Sequence, residues 1–115
     1  MQPIETPLFV KTHDWNLWLL SRTQRFPKHL RHSYTNRLES LAFDFEEFLL
    51  RANVARGERR TDYLLRADST LLCIRALLRY AGDLKLLAVN QLQYAAEQLD
   101  QLGRLLGAWL KGTDR

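Results

Sequence analysis

The 115-residue sequence has little of what interrupts helices, crosslinks chains or spans membranes. Its single cysteine, Cys73, excludes an intramolecular disulfide, and no apolar run reaches the roughly 18 residues that a membrane helix needs. The prolines all lie at or before Pro27, so the rest of the chain lacks the residue that most strongly breaks helices. No apolar stretch of the kind found in secretion signals is evident in the sequence either. We therefore expect an all-α protein of the reducing cytoplasm that has no membrane contact.

The sequence also lacks the patterns that carry catalysis or metal binding. It has no glycine-rich phosphate loop, and no glutamate stands three residues before His13, His29 or His32, which is the spacing that metal sites in helical bundles use. Cys73 lies in an apolar stretch, which is typical of a structural thiol rather than a nucleophile. We expect a protein that is not an enzyme and that holds no metal and no cofactor.

Helical periodicity is the strongest pattern that is present. Apolar residues recur at spacings of three and four, the pattern of helices that pack on one face. Residues 1–11 show no such period, and we expect them to form an irregular arm. Residues 12–115 are predicted to form an antiparallel four-helix bundle. The predicted helices run from Thr12 or Asp14 to Gln24, from Ser33 to Ala55, from Thr61 to Gly82 and from Val89 to Lys111.

The last predicted helix carries small residues beside its apolar stripe. Ala96, Gly103 and Gly107 are spaced so that they lie on one flank of the helix. A glycine inside a helix costs about 1 kcal/mol relative to alanine, so its presence needs a reason. We therefore predict that a neighbouring helix packs closely against this flank.

The second and third predicted helices are apolar on sides that would face water in a monomer. A helix that is apolar nearly all round must be buried on two sides, and a chain of this length has no second layer to cover such a face. We therefore predict a homo-oligomer. Its interface is expected to contain Phe43 and Leu50 of the second helix and Cys73, Leu77 and Tyr80 of the third.

Basic residues exceed acidic ones, with 17 Lys and Arg against 13 Asp and Glu and a net charge of +4. Such a balance suits phosphate or carboxylate partners without choosing between them. Nucleic-acid contacts made by these side chains would go to phosphates and would read little sequence. The helical candidates for a basic binding surface are Arg75 and Arg79 on the third helix and Arg104 and Lys111 on the fourth.

These helical cations have an alternative role within the protein. Asp68 or Asp100 could pair with them inside the bundle or at a subunit interface, in which case they stabilise the structure rather than bind a partner. A second candidate surface lies in the predicted linker between the second and third helices. It consists of Arg56, Arg59 and Arg60.

The fourth helix and several upstream segments resemble one family. The helix contains Leu99-Asp100-x-x-Gly103-Arg104-x-Leu106-Gly107-x-Trp109, and upstream stand Phe26-Pro27-Lys28, Leu77-Leu78-Arg79-Tyr80-Ala81 and Leu84-Lys85-Leu86-Leu87. With these motifs the sequence resembles the accessory variability determinant (Avd) proteins of diversity-generating retroelements, a four-helix family related to rRNA intervening-sequence proteins. The chain departs from that family at Ala88-Val89-Asn90, where Avd-like sequences usually have a serine or threonine cap.

The resemblance implies a specific function, whereas composition alone does not indicate one. Avd proteins form ring-like homopentamers and act with a reverse transcriptase and its template RNA, so the resemblance implies an accessory role in mutagenic reverse transcription and retrohoming. The basic residues named above would then contact the reverse transcriptase, the RNA and its DNA copy.

Two alternatives remain open at this point. One is a structural four-helix protein of the rRNA intervening-sequence type, and the other is a helical partner in a toxin–antitoxin or nucleotidyltransferase system. A neighbouring reverse-transcriptase gene with a pair of near-duplicate repeats would distinguish the Avd role from both.

Overall fold

The computed structural model describes residues 1–3 and 5–113, and within them the fold is all-α with no strand. This confirms the predicted fold class of four helices. A short 3-10 turn and a π turn, Lys28–Leu30 and Arg31–Thr35, fill most of the first connection. The helices are α1 (Pro7–Thr23), α2 (Asn36–Val54), α3 (Gly57–Asp83) and α4 (Val89–Thr113).

Each helix packs on its neighbours in sequence, and α1 also packs on α4, so the four helices enclose one core. The first and last helices meet where the Trp15 indole N–H donates a hydrogen bond to the Ala95 carbonyl, at 3.4 Å. Burying one leucine side chain contributes about 1.5–3 kcal/mol, so the central leucines supply much of the stability. The completely buried residues include Leu19, Leu38, Phe45, Leu49, Leu64, Ile74, Leu99, Leu102 and Leu106.

Two helices begin earlier than the sequence predicts, and in each case the first residue of the helix explains the difference. The α1 helix begins at Pro7 rather than at Thr12, because proline is well tolerated in the first turn of a helix, where its missing N–H has no partner to lose. Leu8 and Phe9 are consequently core residues instead of part of an irregular arm. The prediction that residues 7–11 are irregular was therefore wrong.

The α3 helix begins at Gly57, so most of the predicted arginine linker is helical. Gly57 has a φ of +58°, a left-handed conformation that glycine adopts at little cost. This single residue reverses the chain and is also the first residue of α3. The cations at positions 59 and 60 are consequently held on a helix rather than in a loop.

Close helix packing occurs at a different glycine from those predicted. A β-carbon added at Gly107 would meet no atom within 4 Å, and one added at Gly103 would make only ordinary contact with Leu71 Cδ2 at 3.5 Å. Ala96 is exposed. The close approach is at Gly82, where an added β-carbon would stand 2.9 Å from Leu92 Cδ1. The prediction that a neighbouring helix packs closely was wrong for Ala96 and Gly107, because both positions lie on the solvent-exposed side of α4.

No helix in the described part of the chain combines the length and the apolar character needed to cross a membrane.

Candidate functional site

Six of the seven basic residues singled out in the sequence fall into two regions, and the seventh, Arg104, is exposed on α4. In an antiparallel bundle, the start of α3 and the end of α4 lie at the same end, and the Arg60 guanidinium accordingly stacks over the Trp109 ring at 5.9 Å. Lys111 therefore lies at the same end of the bundle as the arginines at the start of α3, and not at the level of Arg75 and Arg79. We call Arg56, Arg59 and Lys111, all of them exposed, the basic end.

The Arg60 side chain makes its contacts within the protein. Its Nε donates to the Ala52 carbonyl at 3.0 Å and its Nη2 donates to the Asn53 carbonyl at 3.3 Å, while the guanidinium packs over Trp109. These contacts satisfy two carbonyls in the last turn of α2 and join that turn to α4. Arg60 therefore has an internal structural role, which the sequence prediction of a binding role did not foresee.

The basic end continues onto two residues that the sequence analysis missed. A hydrogen bond from the Arg59 guanidinium, together with the nearby charges of Arg59 and Arg51, lowers the pKa of Tyr63. Arg51 also pairs with Glu47 at 2.9 Å. Arg51 and Tyr63 lie on different helices, so no spacing along the sequence could have grouped them. Their arrangement adds hydrogen-bond donors to this end of the bundle.

Arg75 and Arg79 have different surroundings although they lie one turn apart. Arg75 forms an ion pair with Asp100 of α4, with Nη1 and Oδ1 separated by 2.9 Å. This is one of the two internal pairings that the sequence left open; Asp68 forms no ion pair within the described residues. Both partners are partly exposed, so the pair contributes about 0–1 kcal/mol to the free energy of unfolding. Arg79 is exposed and has no ion-pair partner among the described residues.

An open groove of about 400 Å³ runs between α3 and α4 beside these two arginines. Its floor consists of aliphatic side chains and its rim is charged, a combination typical of sites that bind an apolar group with a polar anchor. We call it the α3–α4 groove. Its lining residues are Arg75, Leu78, Arg79, Gly82, Asp83, Leu92, Ala96 and Leu99.

The predicted interface residues lie on two helices and differ in exposure. Phe43 and Leu50 are 49% and 43% exposed on α2, and Tyr80 is 57% exposed on α3, where Cys73 is exposed as well. Leu77, by contrast, is half-buried against the core, and its carbonyl accepts a hydrogen bond from the Tyr34 hydroxyl.

Exposed apolar side chains on α1 extend the surface around Phe43 and Leu50. Val10 and Leu17 are 44% and 55% exposed. Val10 also lines a hollow of about 320 Å³ together with Leu50. The sequence analysis missed Val10 because the first eleven residues were expected to be irregular, which concealed the helical spacing of Val10 and Leu17.

Among the described residues, the acidic, cysteine and histidine side chains form no cluster of three or more that is suited to a metal ion. Glu39, the least exposed carboxylate in an ion pair, is occupied by the Arg31 guanidinium at 2.8 Å and by the Thr23 hydroxyl at 2.6 Å.

The comparisons with known proteins give one match. The model of a family described as bAvd-like matches residues 9–113. No curated protein and no solved structure matches the chain. Because the family match spans all four helices and nearly the whole sequence, the chain belongs to the bAvd-like family and is an Avd-type protein.

Proposed function

We propose that this chain is a non-enzymatic accessory protein of a diversity-generating retroelement, which binds the element's reverse transcriptase and template RNA in the cytoplasm and supports mutagenic reverse transcription and retrohoming. Membership of the bAvd-like family carries the proposal, because Avd-type proteins are associated with such retroelements. The basic surface supports it, because an accessory protein of a polymerase complex works next to a polyanion.

The basic end is the proposed RNA contact. Arg56, Arg59 and Lys111 are exposed, and Arg104 adds a further exposed cation on α4. Arginine presents a planar set of donors that matches phosphate oxygens, so these side chains suit a nucleic-acid backbone. Contacts of this kind bind RNA or its DNA copy with little dependence on sequence.

Assembly into a homopentamer is part of the proposal and rests on the family resemblance. Exposed Val10, Leu17, Phe43 and Leu50 support self-association, because apolar side chains grouped on one surface commonly mark a protein interface. A ring would repeat the basic end once per subunit, and the repeated cations would attract nucleic acid more strongly than a single copy.

The test compares two triple variants in binding to the cognate template RNA and reverse transcriptase. Arg56, Arg59 and Lys111 are replaced with alanine in one, and Arg25, Lys28 and Arg37 in the other. Both variants lose three exposed cations, so their net charges are equal. We expect the first variant alone to bind RNA weakly.

Salt titration measures how many phosphate contacts are lost. The logarithm of the RNA affinity should fall less steeply with the logarithm of salt concentration in the basic-end variant, by about 0.7–0.9 for each phosphate contact removed. Equal losses in the two variants would show that net charge alone attracts RNA. If the wild-type chain bound neither RNA nor reverse transcriptase, the proposed function would be wrong.

A further inference from the structure

We propose that the α3–α4 groove binds an acidic, apolar segment of the reverse transcriptase, with an aliphatic side chain seated in the groove and a carboxylate paired with Arg79. This inference rests on the proposed function and names the chemistry of one of its partners.

The floor of the groove is suited to an aliphatic side chain. Leu78, Leu92 and Leu99 line it, and Gly82 contributes no side chain that would fill it. Its volume of about 400 Å³ lies within the range of sites that bury a small apolar ligand. An apolar group that enters such a space is stabilised because its surface is removed from water.

The rim of the groove selects a carboxylate through Arg79. Arg75 is already paired with Asp100, whereas Arg79 is exposed and has no ion-pair partner in the described part of the chain. A second hollow, lined by Ala76, Arg79, Tyr80 and Asp83, lies against the same arginine. Arg79 therefore borders both hollows, and its guanidinium is available to a carboxylate on a segment that crosses α3.

The same surroundings favour a protein partner over a nucleic acid. No aromatic side chain lines the α3–α4 groove, so it offers no surface on which a base could stack. Asp83 lines both hollows and would repel a phosphate backbone that followed them. A protein segment that carries one carboxylate next to an aliphatic residue meets less of that repulsion than a phosphate backbone does, because it brings one negative charge rather than a row of them.

A substitution that fills the groove tests the apolar contact. Ala96 is an exposed residue on the groove wall, so Ala96→Leu adds an aliphatic side chain without adding charge. The control is Ala108→Leu, also at an exposed position of α4 but outside the groove. We expect Ala96→Leu to weaken binding of the purified cognate reverse transcriptase by roughly tenfold or more, while Ala108→Leu leaves it unchanged. Helical circular dichroism of both variants checks that they are folded.

A charge reversal tests the carboxylate contact. Arg79→Glu should weaken binding of the reverse transcriptase, and of overlapping peptides from its sequence that join acidic and aliphatic residues. Arg37→Glu makes the same charge change at an exposed position of α2 and should have no such effect. In peptides that bind, replacing the acidic residue with lysine should restore affinity for the Arg79→Glu chain.

The outcomes separate this inference from the proposed function. Undiminished binding of the reverse transcriptase by Ala96→Leu would overturn the groove inference while leaving the accessory role intact. A fall in native mass caused by Ala96→Leu would show that a second copy of the chain occupies the groove. If Ala96→Leu lost RNA binding and nothing else, nucleic acid would be the occupant. Either result overturns the inference. Absence of any interaction between wild-type protein and reverse transcriptase would instead refute the proposed function.

Discussion

Gly82 of α3 and Leu92 of α4 are in such close contact that a β-carbon added to Gly82 would lie 2.9 Å from Leu92 Cδ1. The contact lies near the connection between the two helices, whereas Gly107, one of the positions that the sequence favoured for this role, faces open space. The two positions therefore respond differently to the same substitution.

Gly107→Ala should raise the free energy of unfolding by about 0.5–1 kcal/mol, because alanine is the better helix former and its methyl group meets nothing. Gly82→Ala should raise the free energy of unfolding by less, since the Leu92 side chain has to move to admit the new methyl group. Urea unfolding of both variants measures the difference. Equal gains would show that Leu92 moves at no cost, and a loss at Gly107 would show that it packs against another copy of the chain.

Arg60→Ala should lower the free energy of unfolding by about 1–3 kcal/mol, because it removes two hydrogen bonds to carbonyls of α2 and the contact with the Trp109 ring. The matched variant Arg59→Ala removes an exposed arginine one position away and should change stability much less. Thermal or urea unfolding distinguishes them. Equal effects would refute the internal role assigned to Arg60.

Leu50→Glu should shift the native mass toward that of the 13.5 kDa monomer if the exposed face of α1 and α2 is the subunit interface, since an unpaired carboxylate would be buried there. Val89→Glu is the control, because Val89 is 73% exposed in the first turn of α4, where a carboxylate is favourable. Light scattering measures both. A wild-type chain that is itself monomeric would exclude the homo-oligomer, and a Leu50→Glu oligomer of unchanged mass would move the interface elsewhere.

Stability should fall at alkaline pH because of Tyr34. Burial raises the pKa of this phenol from 10.0 to about 12, so the folded state keeps it neutral over a range in which the unfolded state ionises it. Its contribution is therefore complete below pH 10 and is lost as the pH rises toward 12. In Tyr34→Phe, the free energy of unfolding should fall less steeply across that interval. Identical slopes would mean that Tyr34 ionises equally easily in both states.

The number and type of the helices could be predicted from the sequence because they depend on local periodicity. Residues such as Leu64, Ala67, Leu71 and Ile74 recur at spacings of three and four, and all of them are buried in α3. Such spacing places side chains on one face whatever the helix packs against. The family motifs were visible for a similar reason, since they are continuous stretches of sequence.

Helix starts were harder to predict because they depend on single backbone conformations. Pro7 lies in a segment that was expected to be irregular and Gly57 in a predicted linker, yet each is the first residue of a helix. Composition alone does not distinguish a residue that ends one helix from a residue that begins the next.

The sequence by itself determined that this is a basic, four-helix protein of the bAvd-like family with apolar residues left outside its core. Only the tertiary structure decided that Arg60 is internal, that Arg75 pairs with Asp100, and that Lys111 belongs with the start of α3. The physical reason is that periodicity assigns a residue to a face of its own helix, whereas partners across helices depend on how antiparallel segments are aligned along the bundle axis.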